Sequence, residues 1–254
     1  FANNYLGDLI HLKLSAQGTI DSRDSVFWGA IRAGQMAIQG ESRIFLLQGN
    51  FFEGHGITVQ PIQQSGNTFS LSSPWMISTS PPYSNEYYQN SCRSADGGFF
   101  VLGRIQTGVL YGLGYFILRT NHDGQEIART PFSDGYSSSG GQIQLLSDGG
   151  AIVLNPAGQA WKVDAQAKLA WSKMLKPGLL LTDQKNGFVI VGKHYQVTPT
   201  DDTHLWHYDR NGALIDEKTI VEVGKKAFIF AGVSRLGGGF TLWGKYYEAS
   251  DNTL

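Results

Sequence analysis

Apolar residues along the chain fall into short runs, each preceded by a turn and closed by Gly or a polar residue. Five of these runs align: 45–49 (FLLQG), 99–103 (FFVLG), 151–155 (AIVLN), 188–192 (FVIVG) and 240–244 (FTLWG). Phe opens four of them, and the third position is always aliphatic: Leu47, Val101, Val153, Ile190 and Leu242. The positions between are mostly apolar too, so both faces are expected to be buried, as in a strand sandwiched between sheets. Upstream of each lies a turn, GESR, SADGG, LSDGG, TDQKNG or RLGGG. Asp and Gly clusters of this kind supply the positive φ of a tight hairpin.

A second signature alternates with these strands: HLKLSAQG, VQPIQQSG, LRTNHDG, WKVDAQA and WHYDRNG, ending at Gly18, Gly66, Gly124, Ala167 and Gly212. Three residues before each end stands Ser15, Gln63, Asn121, Asp164 or Asp209. In most copies that side chain is suited to cap the turn by an Asx- or Ser-type hydrogen bond. A further strand comes next, as in KLAWSKML or ALIDEKTI. The repeating unit is therefore strand, short turn, apolar strand, variable loop, strand, short turn, strand: a four-stranded antiparallel meander. Its period of about 50 residues is near that of a four-stranded propeller blade. The third copy is compressed, with NPAG in place of the middle loop.

The order of the two signatures predicts how the ends relate. The first landmark from the N-terminus, the turn at Gly18, belongs to the second half of a unit; the last, the strand ending at Gly244, belongs to the first half. The expected fold is all-β, a single five-bladed β-propeller of four-stranded antiparallel blades over 1–254. Its ring is closed by N-terminal outer strands pairing with C-terminal inner strands. The blades are placed at 34–77, 87–132, 137–175, 176–221, and 226–254 together with 1–25. Closure removes the sheet edges that an open array leaves exposed. An incomplete larger ring is the alternative.

This repeat resembles the broad superfamily of Kelch-like and quinoprotein-like bacterial β-propeller repeats, in architecture and over nearly the whole chain. Kelch repeats carry a Gly-Gly doublet at the end of the second strand and a spaced Tyr and Trp; here one Gly stands there, and the terminal-strand Trp is clear only as Trp171. Quinoprotein repeats favour D-x-x-T-G-x-x-x-W, to which DAQAKLAW at 164–171 is similar without the Thr-Gly. The resemblance implies fold and no activity.

Composition narrows the function classes. Lys+Arg is 20 and Asp+Glu 21, a net charge of -1, so no basic field invites nucleic acid. Only 16% of residues are charged, while Gly reaches 32. This suits many short strands and tight turns, and with abundant Ser, Asn and Gln it leans toward a bacterial extracytoplasmic setting (periplasmic, cell-surface or secreted). The single Cys92 excludes an intrachain disulfide or a multi-Cys metal site. The longest apolar runs fall far short of the roughly 20 residues that span a bilayer. Opening on Phe1 with no leader pattern reads as a processed chain or a domain cut from a larger protein.

Candidate binding residues are sought on the long-loop face, where connections vary above a rigid scaffold. The long loops are taken as 50–56, 104–114, 193–203 and 245–254, with inter-blade segments 25–34, 73–90 and 133–141. The 73–90 insert, with Trp75 and Tyr83, is the longest and most aromatic. Three loops open alike, with two rings followed by Glu or Gln: Phe51, Phe52, Glu53; His194, Tyr195, Gln196; Tyr246, Tyr247, Glu248. These are either a ring of aromatic-plus-polar pockets or repeated packing at each blade mouth, and packing is the simpler reading. His204 and His207 lie an odd number of residues apart on one strand, so they face opposite ways and do not share a metal. Glu53 and His55 lack further ligands for a metal site. NHDG at 121–124 reads as a hairpin turn. No GxSxG elbow, HExxH or phosphate-cradling glycine loop is present.

The expected function is a non-enzymatic protein-interaction or scaffolding propeller, part of a larger envelope or secreted protein or complex, with no cofactor. A carbohydrate-binding, lectin-like propeller is the alternative. A glycoside hydrolase comes third: it requires two converging carboxylates, of which Glu53 and Glu248 are the candidates, and the first strands carry no Asp or Glu.

Overall fold

The computed structural model describes residues 6–14, 20–30, 34–39, 43–49, 57–65, 68–71, 73, 75–76, 84–107, 112–133, 141–183, 187–193, 203–220, 225–235 and 239–248. Every regular element among them is a β-strand. In chain order, β1 (Leu6–Leu14) and β2 (Ile20–Ala30) form a two-stranded sheet. Next come β3 (Gly34–Gln39), β4 (Arg43–Gly49), β5 (Ile57–Ser65) and β6 (Thr68–Leu71), with short β7 (Trp75–Met76) also paired to β5. Three four-stranded sheets follow. With the β3–β7 sheet counted as the first, the second sheet is β8 (Ser84–Arg93), β9 (Phe99–Thr107), β10 (Gly112–Thr120) and β11 (Glu126–Ser133). The third is β12 (Gln142–Leu145), β13 (Ala151–Leu154), β14 (Gln159–Val163) and β15 (Leu169–Met174). The fourth is β16 (Leu179–Thr182), β17 (Gly187–Lys193), β18 (Thr203–Asp209) and β19 (Leu214–Ile220). Last come β20 (Lys225–Ser234) and β21 (Phe240–Glu248), again two-stranded.

Apart from β7, every strand follows an antiparallel meander in sequence order, which makes the architecture propeller-like. The first strands β3, β8, β12, β16 and β20 lie each beside the next. Apolar side chains fill the gaps between successive sheets, so the inner strands of the middle sheets are buried on both faces. Phe100, Leu102, Tyr115 and Ile117 of the second sheet meet Ile143, Val153, Trp161 and Val163 of the third. On the third sheet's other face, Ile152, Leu154 and Ala160 meet Leu180, Phe188, Ile190, Trp206 and Tyr208 of the fourth. The fourth then presents Leu181, Val189 and Val191 to Ile229, Phe240 and Leu242 of the last pair. The near-continuous apolar runs of β9, β13 and β17 are thus the signature of strands packed on both sides.

Tight turns join first to second and third to fourth strands by one recurring geometry. The opening residue's N–H donates to the carbonyl four residues on: Ser94 to Gly98, Asn121 to Gln125, Leu146 to Gly150, Asp164 to Lys168, Asp183 to Gly187 and Asp209 to Ala213. The fourth residue takes positive φ at Gly97, Gly124, Gly149, Gly212 and, without glycine, at Ala167 with φ 62. Asn121, Asp164 and Asp209 each accept two backbone N–H bonds on one side-chain oxygen, closing the turn. Asn155 does the same in the compressed middle connection of the third sheet.

Several segments expected as loops are strand. Most of 104–114 is a hairpin, with β9 running to Thr107 and β10 starting at Gly112. Lys245 to Glu248 continue β21. Their polar or glycine-rich composition hid the strands, because a ladder with β8 or β20 needs only backbone groups.

Candidate functional site

At the tight-turn end, the second, third and fourth sheets repeat one charged arrangement. Two residues before the third turn's Asn or Asp, the third strand carries a cationic or imidazole side chain: Arg119, Lys162 or His207. Each lies opposite the second residue beyond the first turn: Phe100, Ile152 or Val189. Each reaches back to an acid of that turn. Arg119 pairs with Asp96, Lys162 Nζ meets Asp148 Oδ2 at 2.5 Å, and His207 Nε2 meets Asp183 Oδ2 at 2.5 Å. The turn's last residue is Gly98, Gly150 or Gly187, because a Cβ there would lie 2.1, 2.2 or 2.4 Å from the carbonyl of Thr120, Val163 or Tyr208.

These acids are engaged with their own sheet. Hydrogen bonds from Arg119 and Ser94 lower the Asp96 carboxyl from 3.8 to about 2. Burial opposes the same shift at Asp148, but the Lys162 ammonium and the Gly150 amide hold it below the usual carboxylate range. Neighbouring sheets are tied at the same end. Arg119 Nε donates to Ala165 O at 3.4 Å and Thr130 Oγ1 to Ala167 O at 2.5 Å. Trp171 Nε1 donates to Arg210 O at 3.1 Å and Lys173 Nζ to Asn211 O at 2.6 Å. The chemistry of these three pairs is cohesive: each acid meets a side chain of its own sheet.

The opposite end is where the sequence places candidate binding residues. Phe51, Phe52, Glu53, His55, Tyr83, His194, Tyr195 and Gln196 lie outside the described residues. Trp75 is in β7 opposite Val59, and Tyr246, Tyr247 and Glu248 are in β21 opposite Ala227, Lys226 and Lys225. In the fourth sheet, β17 and β18 flank the connection that carries His194 to Gln196, with Gly192 opposite His204. Here His204 stacks on the buried Trp206 with ring centroids 5.4 Å apart. His204 Nδ1 lies 2.9 Å from Glu217 Oε1, and Lys176 Nζ sits 5.8 Å from the Trp206 ring. His207, on the other face of β18, is held by Asp183. The two histidines are thus committed to different carboxylates on different faces.

The pairs Arg119–Asp96, Lys162–Asp148 and His207–Asp183 escaped the sequence reading. Their signal was a basic residue recurring two positions before the capping residue, in RTN, KVD and HYD. Among the described residues, no group of three or more His, Cys, Asp or Glu is placed to hold a metal ion. Among the described residues, no helix is long and apolar enough to cross a membrane.

No family model and no curated protein matches the chain. Among solved structures, it is similar to a protein of unknown function from Bacteroides caccae, at 11% identity and a TM-score of 0.41, covering 84% of this chain and 94% of that one.

Proposed function

We propose that the chain is a non-enzymatic docking propeller that engages a protein partner through its long-loop end, with a five-bladed ring as the scaffold. The observation that carries this reading is the asymmetry between the two ends. Tight turns at one end tie their acids, cations and capping amides into the scaffold. At the other end the middle connections differ in length from sheet to sheet. Asn155 to Gln159 is one tight turn, four residues separate β9 from β10, and nine separate β17 from β18. A rigid stack of sheets with one uniform end and one variable end is suited to recognition at the variable end. Low charge and abundant small polar residues support an extracytoplasmic setting within a larger assembly.

The test is site-specific photo-crosslinking in the native host, with substitutions at both ends. Tyr246→Ala with Tyr247→Ala, or His194→Ala with Tyr195→Ala, is expected to abolish a defined protein adduct. His122→Ala with Asn211→Ala, at exposed tight turns, is expected to leave it intact. Loss from the turn variants alone would refute docking at the loop end. A glycan array provides the competing outcome: binding to a defined sugar, lost on Tyr247→Ala, replaces the protein-docking reading with a lectin.

A further inference from the structure

The two-stranded sheets at the chain ends have the internal geometry of two halves of one four-stranded sheet. In the second, third and fourth sheets, the residue two before the turn between third and fourth strands pairs seven beyond that turn's opening, and the next residue pairs five beyond it, with a bulge between. The pairs are Arg119↔Ala128 and Thr120↔Glu126, Lys162↔Trp171 and Val163↔Leu169, and His207↔Asp216 and Tyr208↔Leu214. The β1–β2 hairpin repeats this offset around Ser15, with Lys13↔Ser22, Leu14↔Ile20 and the same bulge. It is a third-and-fourth-strand pair. In turn, β20–β21 pairs Ser234↔Phe240 as the first strands pair Arg93↔Phe99, Leu145↔Ala151 and Thr182↔Phe188. Its register shift between Ile229 and Ala231 falls where β8 has one between Tyr88 and Asn90. It is a first-and-second-strand pair.

We propose that β1 adds to the open edge of β21 in antiparallel register, with Lys13 opposite Thr241, as a strap that closes the ring. The inference rests on the five-bladed reading above and fixes the residues of closure. The register is set by Arg119↔Phe100, Lys162↔Ile152 and His207↔Val189. Carried to the chain ends it pairs Lys13 with Thr241, and so Leu14 with Phe240, Leu12 with Leu242, Asp8 with Tyr246 and Leu6 with Glu248. Both strands have nine residues, and this register aligns them end to end.

Two further observations favour this pairing. Phe240 and Leu242 pack against the fourth sheet, and the register sets Leu14 and Leu12 at their rungs. A slip of one residue would put Lys13 and His11 near those rungs instead, which the period of two makes costly. In addition, Leu102, Leu154 and Val191 are at most 2% exposed, while their equivalent in β21, Trp243, is 47% exposed. Ring closure would bring a neighbouring sheet to that face. Closure also places the Tyr246–Tyr247 pair inside a completed sheet, beside Asp8.

Paired cysteines in a Cys92→Ser background test the register. Directly opposed strand residues lie about 4.5–5.5 Å apart at Cα, within disulfide reach. Lys13→Cys with Thr241→Cys is expected to oxidise to a link within one chain, located by peptide mapping. Leu9→Cys with Thr241→Cys, displaced by about 13 Å along the strand, is expected to stay reduced. A matched link between two chains would show that β1 is exchanged with a second copy and would overturn the proposal, as would a link in the displaced pair or in neither. Amide exchange of the unsubstituted protein gives a reading free of folding defects: slowed exchange at alternate residues of β21 on its side away from β20 is expected, and fast exchange there refutes the strap. A correct link with no binding at the loop end would reject the docking function and leave closure standing. Binding without the link would do the reverse.

Discussion

At the scale of single residues, glycine and aspartate positions carry the fold for different reasons. Gly150 is required by close approach: a methyl group there would press on the Val163 carbonyl at 2.2 Å, a backbone atom that cannot swing aside. Gly150→Ala is therefore expected to cost about 1–3 kcal/mol, read as a lowered urea midpoint; an unchanged midpoint would show that the third strand yields. Gly103 has another cause: the ring of Phe116 lies over it, and a Cβ there would stand 2.1 Å from a ring carbon. Asp96 links the same turn to acid stability. Its carboxyl has a folded value near 2 against an ordinary 3.8, so the folded state binds its proton more weakly than the unfolded chain. Its contribution is present above about pH 3.8 and is lost as pH falls toward 2. Denaturation midpoints at pH 5, 3 and 2 are expected to fall more steeply for the parent than for Asp96→Asn; parallel curves would dismiss the Arg119 pairing as a source of stability.

At the scale of elements, sheet-to-sheet contact is made by apolar faces and fixed by a few polar ties. Gln142 of β12 is one such tie. Its amide donates to Gly178 O at 2.8 Å, and its oxygen accepts the Leu180 N–H at 2.9 Å, so one side chain spans the third and fourth sheets. Gln142→Ala leaves two partly buried backbone groups unpaired and is expected to cost about 1–3 kcal/mol. Gln159→Ala, which removes only an exposed bond to Ser172, is expected to change stability by under about 0.5 kcal/mol. Equal effects in thermal melts would contradict the role of Gln142. The strands and turns of these sheets were legible in the sequence because Asn121, Asp164 and Asp209 act locally, on amides two and four residues away. The clasps were not: Asp96 and Arg119 are 23 residues apart, Asp148 and Lys162 14, and Asp183 and His207 24. They meet only once the second and third strands are in register. The loops at 104–114 and 245–248 were misread because pairing there relies on the ladder and leaves no apolar alternation to see.

At the scale of the whole molecule, the sheets form a sequential stack whose ends carry complementary halves. Deleting 239–254 removes β21, and with it both the strand facing the fourth sheet and the proposed partner of β1. The expected result is loss of the cooperative thermal transition; a stably folded product would contradict closure. The sequence by itself determined the meander, the turn chemistry and the half-repeat signature at each chain end, since each depends on short-range pattern and local hydrogen bonding. Only the tertiary structure decided which acid meets which cation, that the middle sheets pack on both faces, and that Trp243 is left exposed. Those facts depend on surfaces brought together from distant parts of the chain, and no local pattern encodes which surfaces will meet.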